Sequence, residues 1–248
     1  MSDETHFTDA SSIDSMEAEH LPLWRAFLRI FAPFLHPQIR ILDFGCSRGG
    51  LLSLVARETA AQAGSGFPSL GVGIDVDTPA MRAQLARAAE SARGLYPLLY
   101  STGSPRDFPG QFDLVISHEV VYLVPDLKQA FDDIFTSLVP GGRFCFATGC
   151  HSDNPLFPRW RTSLGALGVE LHERSSAEYE AALQVSGFVH IRRDRLALTL
   201  DEYEAWIRDR GSIAPNPKWF PSPSAERRYY TQVGKLVLTA QKGEAAHG

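Results

Sequence analysis

Cysteine is scarce: Cys46, Cys145 and Cys150 are the only three in 248 residues. An odd number with no paired metal spacing speaks against a disulfide framework and against a bound metal, and points to a reducing, cytoplasmic setting. No apolar run approaches the roughly 20 residues that cross a bilayer, so no membrane association is expected. The first six residues are polar and acidic, unlike a secretory leader. Positive charge is also in deficit, with 24 Lys+Arg against 29 Asp+Glu and a net charge of −5. Nucleic-acid binders need a basic face to neutralise phosphates, so nucleic acid is not an expected partner. Internal repeats and low-complexity blocks are missing too.

What is present is an ordinary globular balance, 44% hydrophobic and 21% charged residues. Surface scaling gives about 11,000 Å² exposed out of about 40,000 Å² for the unfolded chain, which leaves ample area for a core. Residues 1–13 lack periodicity and read as a tail. Leu21, Trp24, Leu28, Phe31 and Phe34 recur at three- and four-residue steps, predicting an amphipathic helix over 14–35 that stops before Pro37.

Beyond it, short apolar runs alternate with helical patterns. Strands are expected at 39–44, 70–74, 95–100, 112–117 and 143–148, with helices at 51–62, 79–92 and 127–138. Strands joined by helices mean crossover connections and a mostly parallel sheet, and their continuous apolar runs suit a sheet buried on both faces. Further on, helices are expected at 155–167, 176–186 and 201–210 and strands at 188–192 and 236–240. Residues 213–224, with four prolines, read as an ordered loop.

Ligands of open parallel sheets bind outside the carboxyl ends of the strands. The first strand ends in Asp43-Phe44-Gly45-Cys46-Ser47-Arg48-Gly49-Gly50, where glycines permit a tight turn and close approach of a ligand to backbone. The second ends in Gly71-Val72-Gly73-Ile74-Asp75. A carboxylate there suits ribose hydroxyls. Asp77 or Thr78 is the better cap for the following helix, which leaves Asp75 available. A dinucleotide site calls for G-x-G-x-x-G. Here an acid precedes the glycines and the third glycine is missing, an arrangement that repels a pyrophosphate and welcomes an ammonium. S-adenosylmethionine carries an ammonium, a sulfonium and no phosphate.

Residues 41–50 resemble the first motif of the class I S-adenosylmethionine-dependent methyltransferases, and Asp75 matches the acid of their second. Phe112-Asp113-Leu114-Val115-Ile116-Ser117 resembles the fourth strand, and Leu138-Val139-Pro140-Gly141-Gly142-Arg143 the approach to the fifth. The resemblance runs over about residues 38–150. It implies a Rossmann-like, doubly wound, mostly parallel α/β sheet of seven strands, with helices on both faces and an antiparallel last strand. Residues 1–37 would form a tail and lid helix, and 38–248 the methyltransferase domain, with helical lid insertions at about 149–174 and 200–230.

By that resemblance Asp43, Gly45 and Gly49, with Cys46 in the same turn, would hold the methionine part of the donor, and Asp75 the ribose. Val76 would lie against the adenine, and Ser117 and His118 beneath the transferred methyl. Two features depart from the family. Asp43 and Asp75 are 32 residues apart, against about 20 in the dinucleotide-binding pattern, which implies an inserted loop near 62–69. The family's usual acid after the third strand, which contacts the adenine amine, is replaced by Ser104, the cofactor-contact candidate at that position.

Methyl transfer from a sulfonium is an in-line displacement, so alignment and exclusion of water can supply most of the acceleration. A base is needed only when the acceptor must lose a proton. His118 and His151, each at the end of a strand, are the candidates. Tyr122, His151, Trp160 and Arg161 are expected to line the acceptor site, the arginine as a clamp for a carboxylate. The Asn/Asp-Pro-Pro-aromatic motif of enzymes that methylate nucleic-acid amino groups is missing, and lid segments favour an enclosed small-molecule acceptor. The competing functions are a non-catalytic S-adenosylmethionine binder and an NAD-dependent oxidoreductase, the latter disfavoured by Asp43.

Overall fold

The computed structural model describes residues 10–36, 38–63, 70–95, 97–209 and 218–243, with side chains described outside 10–19 and 59–63. The stretch 64–69, the first nine residues and residues 210–217 lie outside it. The expected inserted loop, most of the expected tail and the start of the 213–224 loop therefore fall largely or wholly outside the described residues.

Strands β1 (Arg40–Phe44), β2 (Leu70–Asp75), β3 (Leu98–Thr102), β4 (Phe112–His118), β5 (Leu138–Thr148), β6 (Phe188–Leu196) and β7 (Lys235–Lys242) form one sheet. Their order is β3-β2-β1-β4-β5-β7-β6. β1 to β5 are parallel, and β7 is antiparallel to both of its neighbours. From β1 the chain winds outward to β2 and β3, then returns to β4 on the other side of β1. That reversal opens the crevice at the carboxyl ends of β1 and β4.

The eight helices among the described residues are α1 (Ala10–Phe31), α2 (Gly50–Ala63), α3 (Pro79–Ser91), α4 (Leu127–Ser137), α5 (Phe157–Gly165), α6 (Ser176–Val185), α7 (Leu200–Asp209) and α8 (Pro223–Arg228). Successive strand residues point to opposite faces. Ile41, Leu114, Ile116, Cys145 and Ala147 meet Leu23, Phe27 and Phe31 of α1, Leu51 and Leu52 of α2, and Tyr203 and Trp206 of α7. Their alternates Leu42, Val115, Phe144 and Phe146 meet Phe131 and Ile134 of α4 and Tyr179 and Leu183 of α6. Both faces are therefore buried, which is why the strands read as continuous apolar runs.

Local signals fix the helix starts. The Thr78 hydroxyl accepts from Met81 N–H at 3.1 Å, and Asp126 and Ser175 cap α4 and α6 in the same way. Three expectations shift. β3 starts at Leu98 instead of 95, because Leu95 N–H still donates to Ala92 O as part of the turn that ends α3. β5 begins at Leu138 and loops through the Pro140-Gly141-Gly142 turn, so Phe112 pairs with Leu138 while Leu114 pairs with Arg143. The end of the proline-rich stretch runs into an unexpected helix, α8, whose Ser222 cap and Pro223 in the first turn are themselves a helix start.

Candidate functional site

The turn after β1 is clipped to the end of β2: Gly45 N–H and Cys46 N–H both donate to Ile74 O, at 2.9 and 3.1 Å. Gly45 and Gly49 adopt φ of +78° and +73°, a region that favours glycine. A Cβ on Gly45 would overlap Val120, and one on Gly49 would overlap the Tyr100 ring. The glycines are thus demanded both by the turn and by the side chains packed on it. Cys46 is buried beside Gly73, and burial pushes its thiol up well above the usual value.

Asp43 is 2% exposed, and its Oδ2 has no hydrogen-bond partner among the described residues. Burial, reinforced by the charge of Asp75, pushes its carboxyl up to about 8. Asp75 itself is not idle. Its Oδ2 accepts from Ser47 N–H at 2.7 Å and its Oδ1 from Val76 N–H at 2.8 Å. Burial raises its pKa against the opposing pull of those two bonds. Each carboxylate oxygen keeps a further lone pair for a ligand hydroxyl. Val76, next in the chain, is 63% exposed, an unusual position for valine at the mouth of a crevice.

At the end of β4, Ser117 is buried and donates to Phe44 O at 2.8 Å, tying β4 to the turn after β1. His118 follows. Its Nδ1 accepts from Trp24 Nε1 at 3.3 Å, and its ring meets His20, Trp24 and Phe27 of α1 at centroid distances of 5.4, 6.4 and 5.9 Å. Burial pulls its pKa well below the usual value, and the charges of Lys235 and His20 pull the same way. α1 thus covers the carboxyl end of β4. Beside it, a cleft of about 350 Å³ lies between Leu21 and Trp24, the turn residues Arg48 and Gly50, and Ser53 and Arg57 of α2. A slightly larger cleft, about 430 Å³, opens between Leu198–Leu200 and α8, away from these residues.

Beyond His118 lies a buried ion pair. Glu119, at φ +60°, accepts from Lys235 Nζ and from Gly149 N–H, both at 2.7 Å. Over it sits a cluster of Tyr122, Cys150, Phe157, Trp160, Phe220 and Tyr229. Trp160 Nε1 donates to Trp219 O at 2.8 Å, and its ring stands edge-on to Tyr229 at 5.0 Å. His151 is 9% exposed, with Nδ1 3.7 Å from Asp153 Oδ2. Burial lowers its pKa, and the charges of Asp153 and Glu119 pull back against that.

The expected donor residues Asp43, Gly45, Cys46, Gly49 and Asp75 therefore gather around one turn. Tyr122 and Trp160 share the cluster with Cys150, the neighbour of His151. Two expected residues have partners elsewhere. Ser104 donates to Asp133 of α4 at 2.8 Å and caps the short 3-10 turn Pro105–Asp107. Arg161 is exposed and sits 2.6 Å from Glu173. Sequence reasoning missed Glu119, Lys235 and Tyr229, and read Trp24 only as part of an apolar stripe. Among the described residues, no three His, Cys, Asp or Glu side chains gather closely enough to hold a metal ion. No described helix is long and apolar enough to cross a membrane.

Residues 17–193 match the family model described as a methyltransferase domain. Nocamycin O-methyltransferase of Saccharothrix syringae is 34% identical over 123 residues, 49% of this chain and 41% of that one. A ubiquinone biosynthesis O-methyltransferase of Pseudomonas fluorescens (strain Pf0-1) is 30% identical over 109 residues, 44% of each chain. The chain thus spans under half the length of these relatives. Among solved structures, the chain from the complex of the Haloferax volcanii Trm112 methyltransferase activator with a methyltransferase superposes with a TM-score of 0.73, at 20% identity and 96% coverage of both chains. Geranyl diphosphate C-methyltransferase of Streptomyces coelicolor A3(2) gives 0.63 at 21% identity, covering 88% of this chain and 76% of that one.

Proposed function

The chain belongs to the class I S-adenosylmethionine-dependent methyltransferases, and from that premise we propose that it moves a methyl group from S-adenosylmethionine to a small acceptor, releasing S-adenosylhomocysteine. The observation that carries the small acceptor is the roof. Trp24 and Phe27 lie against His118, and Tyr122, Trp160 and Tyr229 close over the ends of β4 and β5. A protein or RNA substrate needs an open face there.

The residues present fit the donor. Asp43 offers a buried oxygen without a partner among the described residues, suited to an ammonium, the ion that would ionise it. Asp75 would hold the ribose with its remaining lone pairs, Val76 would lie on the adenine, and Ser117 would brace the floor through Phe44. When bound, S-adenosylmethionine supplies an electrophilic methyl on sulfur. The chain's own residues align the acceptor and exclude water, which can account for most of the acceleration. His151, neutral near pH 7, would accept the proton where the acceptor has one to lose. Three buried free thiols suit a reducing compartment.

The test is transfer of labelled methyl from S-adenosylmethionine into a metabolite extract offered beside protein and RNA. Label in the low-mass fraction is expected. Label confined to protein or RNA would overturn the small-acceptor reading. End-to-end likeness to a chain solved with a methyltransferase activator favours a second reading, in which this chain too works with an activating protein. Activity that appears only after adding such a partner would select it.

A further inference from the structure

We propose that Trp24 fixes the tautomer of His118 and makes it a hydrogen-bond donor to the acceptor instead of a base. The Trp24 indole Nε1–H can only donate, and it donates to His118 Nδ1 at 3.3 Å across 94 residues of sequence. Nδ1 therefore carries no proton, and a neutral ring must carry its proton on Nε2. The only lone pair with which His118 could take up a proton is the one already filled by Trp24. Protonating it would set two N–H groups against each other.

The surroundings enforce the same state. His20 and Phe27 of α1 face the ring on one side. From β7 comes Lys235, whose charge opposes an imidazolium, as does that of His20. The carboxylate next in the chain, Glu119, is engaged by Lys235 at 2.7 Å and by Gly149 N–H. Ser117, the preceding residue, is uncharged. His118 Nε2 is buried with no hydrogen-bond partner among the described residues.

A buried donor without a partner calls for a lone pair. On the small-acceptor reading, on which this inference rests, that lone pair belongs to the acceptor. A hydroxyl, phenolate, carbonyl or carboxylate oxygen satisfies Nε2–H with one lone pair and keeps another for the methyl, whereas a neutral amine has a single lone pair and cannot serve both. The site is therefore selective for oxygen-bearing acceptors. His118 orients them through Nε2, Trp24 acts as its positioning residue, and any proton removal falls to His151.

The test reads the ring directly. Long-range 15N–1H NMR of the full chain, alone and with S-adenosylhomocysteine, reports protonation and tautomer of His118. The expected result is the neutral Nε2–H form throughout about pH 5 to 8, the range in which an ordinary histidine titrates. An Nδ1–H tautomer, or a midpoint near 6.5, would overturn the proposal. In Trp24→Phe, His118 should populate both neutral tautomers, and the pH–rate profile of methyl transfer should gain a limb absent from the wild type. A variant whose His118 spectrum matches the wild type would overturn the role of Trp24. If Trp24→Phe does not fold, the wild-type tautomer still decides. Failure of the small-acceptor reading would show separately, as a fixed Nε2–H tautomer in a chain that labels no small molecule.

Discussion

Ser47 and Asp75 are 28 residues apart in sequence and joined by one short bond, the Ser47 backbone N–H donating to Asp75 Oδ2 at 2.7 Å. Ser47 sits at φ +48°, so the bond steadies a strained residue in the turn while it aims the carboxylate. The acid that the family resemblance assigns to a ligand is thus part of the turn's own scaffold.

Asp75→Ala should therefore harm both stability and binding. It leaves two backbone N–H groups without a charged acceptor, a loss of about 2 kcal/mol or more, measurable by urea unfolding. Donor affinity by calorimetry should fall at least tenfold. A variant that folds and binds S-adenosylhomocysteine like the wild type would remove Asp75 from the ribose site.

The raised pKa of Asp43, about 8, gives two pH effects of opposite sign. Relative to an unfolded value near 3.8, the folded chain holds an extra proton across that window. The group's contribution to stability is full below the unfolded value and is lost as pH rises through the folded one. Pairing with an ammonium requires the ionised form, so below about pH 8 donor binding must release a proton. Affinity should then rise with pH, by up to tenfold per unit, and level off above it. Calorimetry in buffers of different ionisation enthalpy would count that proton. Asp43→Asn should abolish the slope, and a flat wild-type profile would exclude Asp43 as the ammonium's partner.

The pair Glu119–Lys235 is buried, with side chains 16% and 7% exposed. Lys235→Met should cost about 3–5 kcal/mol, because it leaves a buried carboxylate without its counter-charge. Replacing both partners, Glu119→Gln with Lys235→Met, should recover much of that loss. A double-mutant cycle by denaturant unfolding would read the coupling, and purely additive losses would mean the pair is not a unit.

Gly149 has no room for a side chain. A Cβ there would lie 2.7 Å from Trp160 Cζ3 and 2.9 Å from the Tyr229 hydroxyl. Gly149→Ala should destabilise by about 1–3 kcal/mol through overpacking and should lower methyl transfer by pushing the roof aside. Adding Trp160→Phe, which shortens the ring, should recover part of both. Unchanged activity in Gly149→Ala would detach the roof from the acceptor site.

The alternating β/α half of the molecule was legible because each strand is a short apolar run and two of its helices open on a capping side chain, Thr78 and Asp126. The turn after β1 was legible because its residues, Asp43 to Gly50, are contiguous. The contacts around His118 and Glu119 were not. Trp24 meets His118 across 94 residues, and Lys235 meets Glu119 across 116. No spacing rule links residues that only the fold brings together. Ser104 illustrates the converse: its position suggested a ligand contact, yet its hydroxyl serves Asp133. The missed α8 hid behind its prolines, one of which begins the helix.

The strand order also sets a timetable. β7 is synthesised after β6 but lies between β5 and β6, and it brings Lys235 to a carboxylate made 116 residues earlier. A chain emerging from the ribosome completes the β1 turn long before the cation that pairs with Glu119 appears. Until the final strand slides into the middle of the sheet, Glu119 has no cation and the edges of β5 and β6 stay open. A chain stalled before residue 235 would carry the residues of the β1 turn and still lack the cation that Glu119 pairs with.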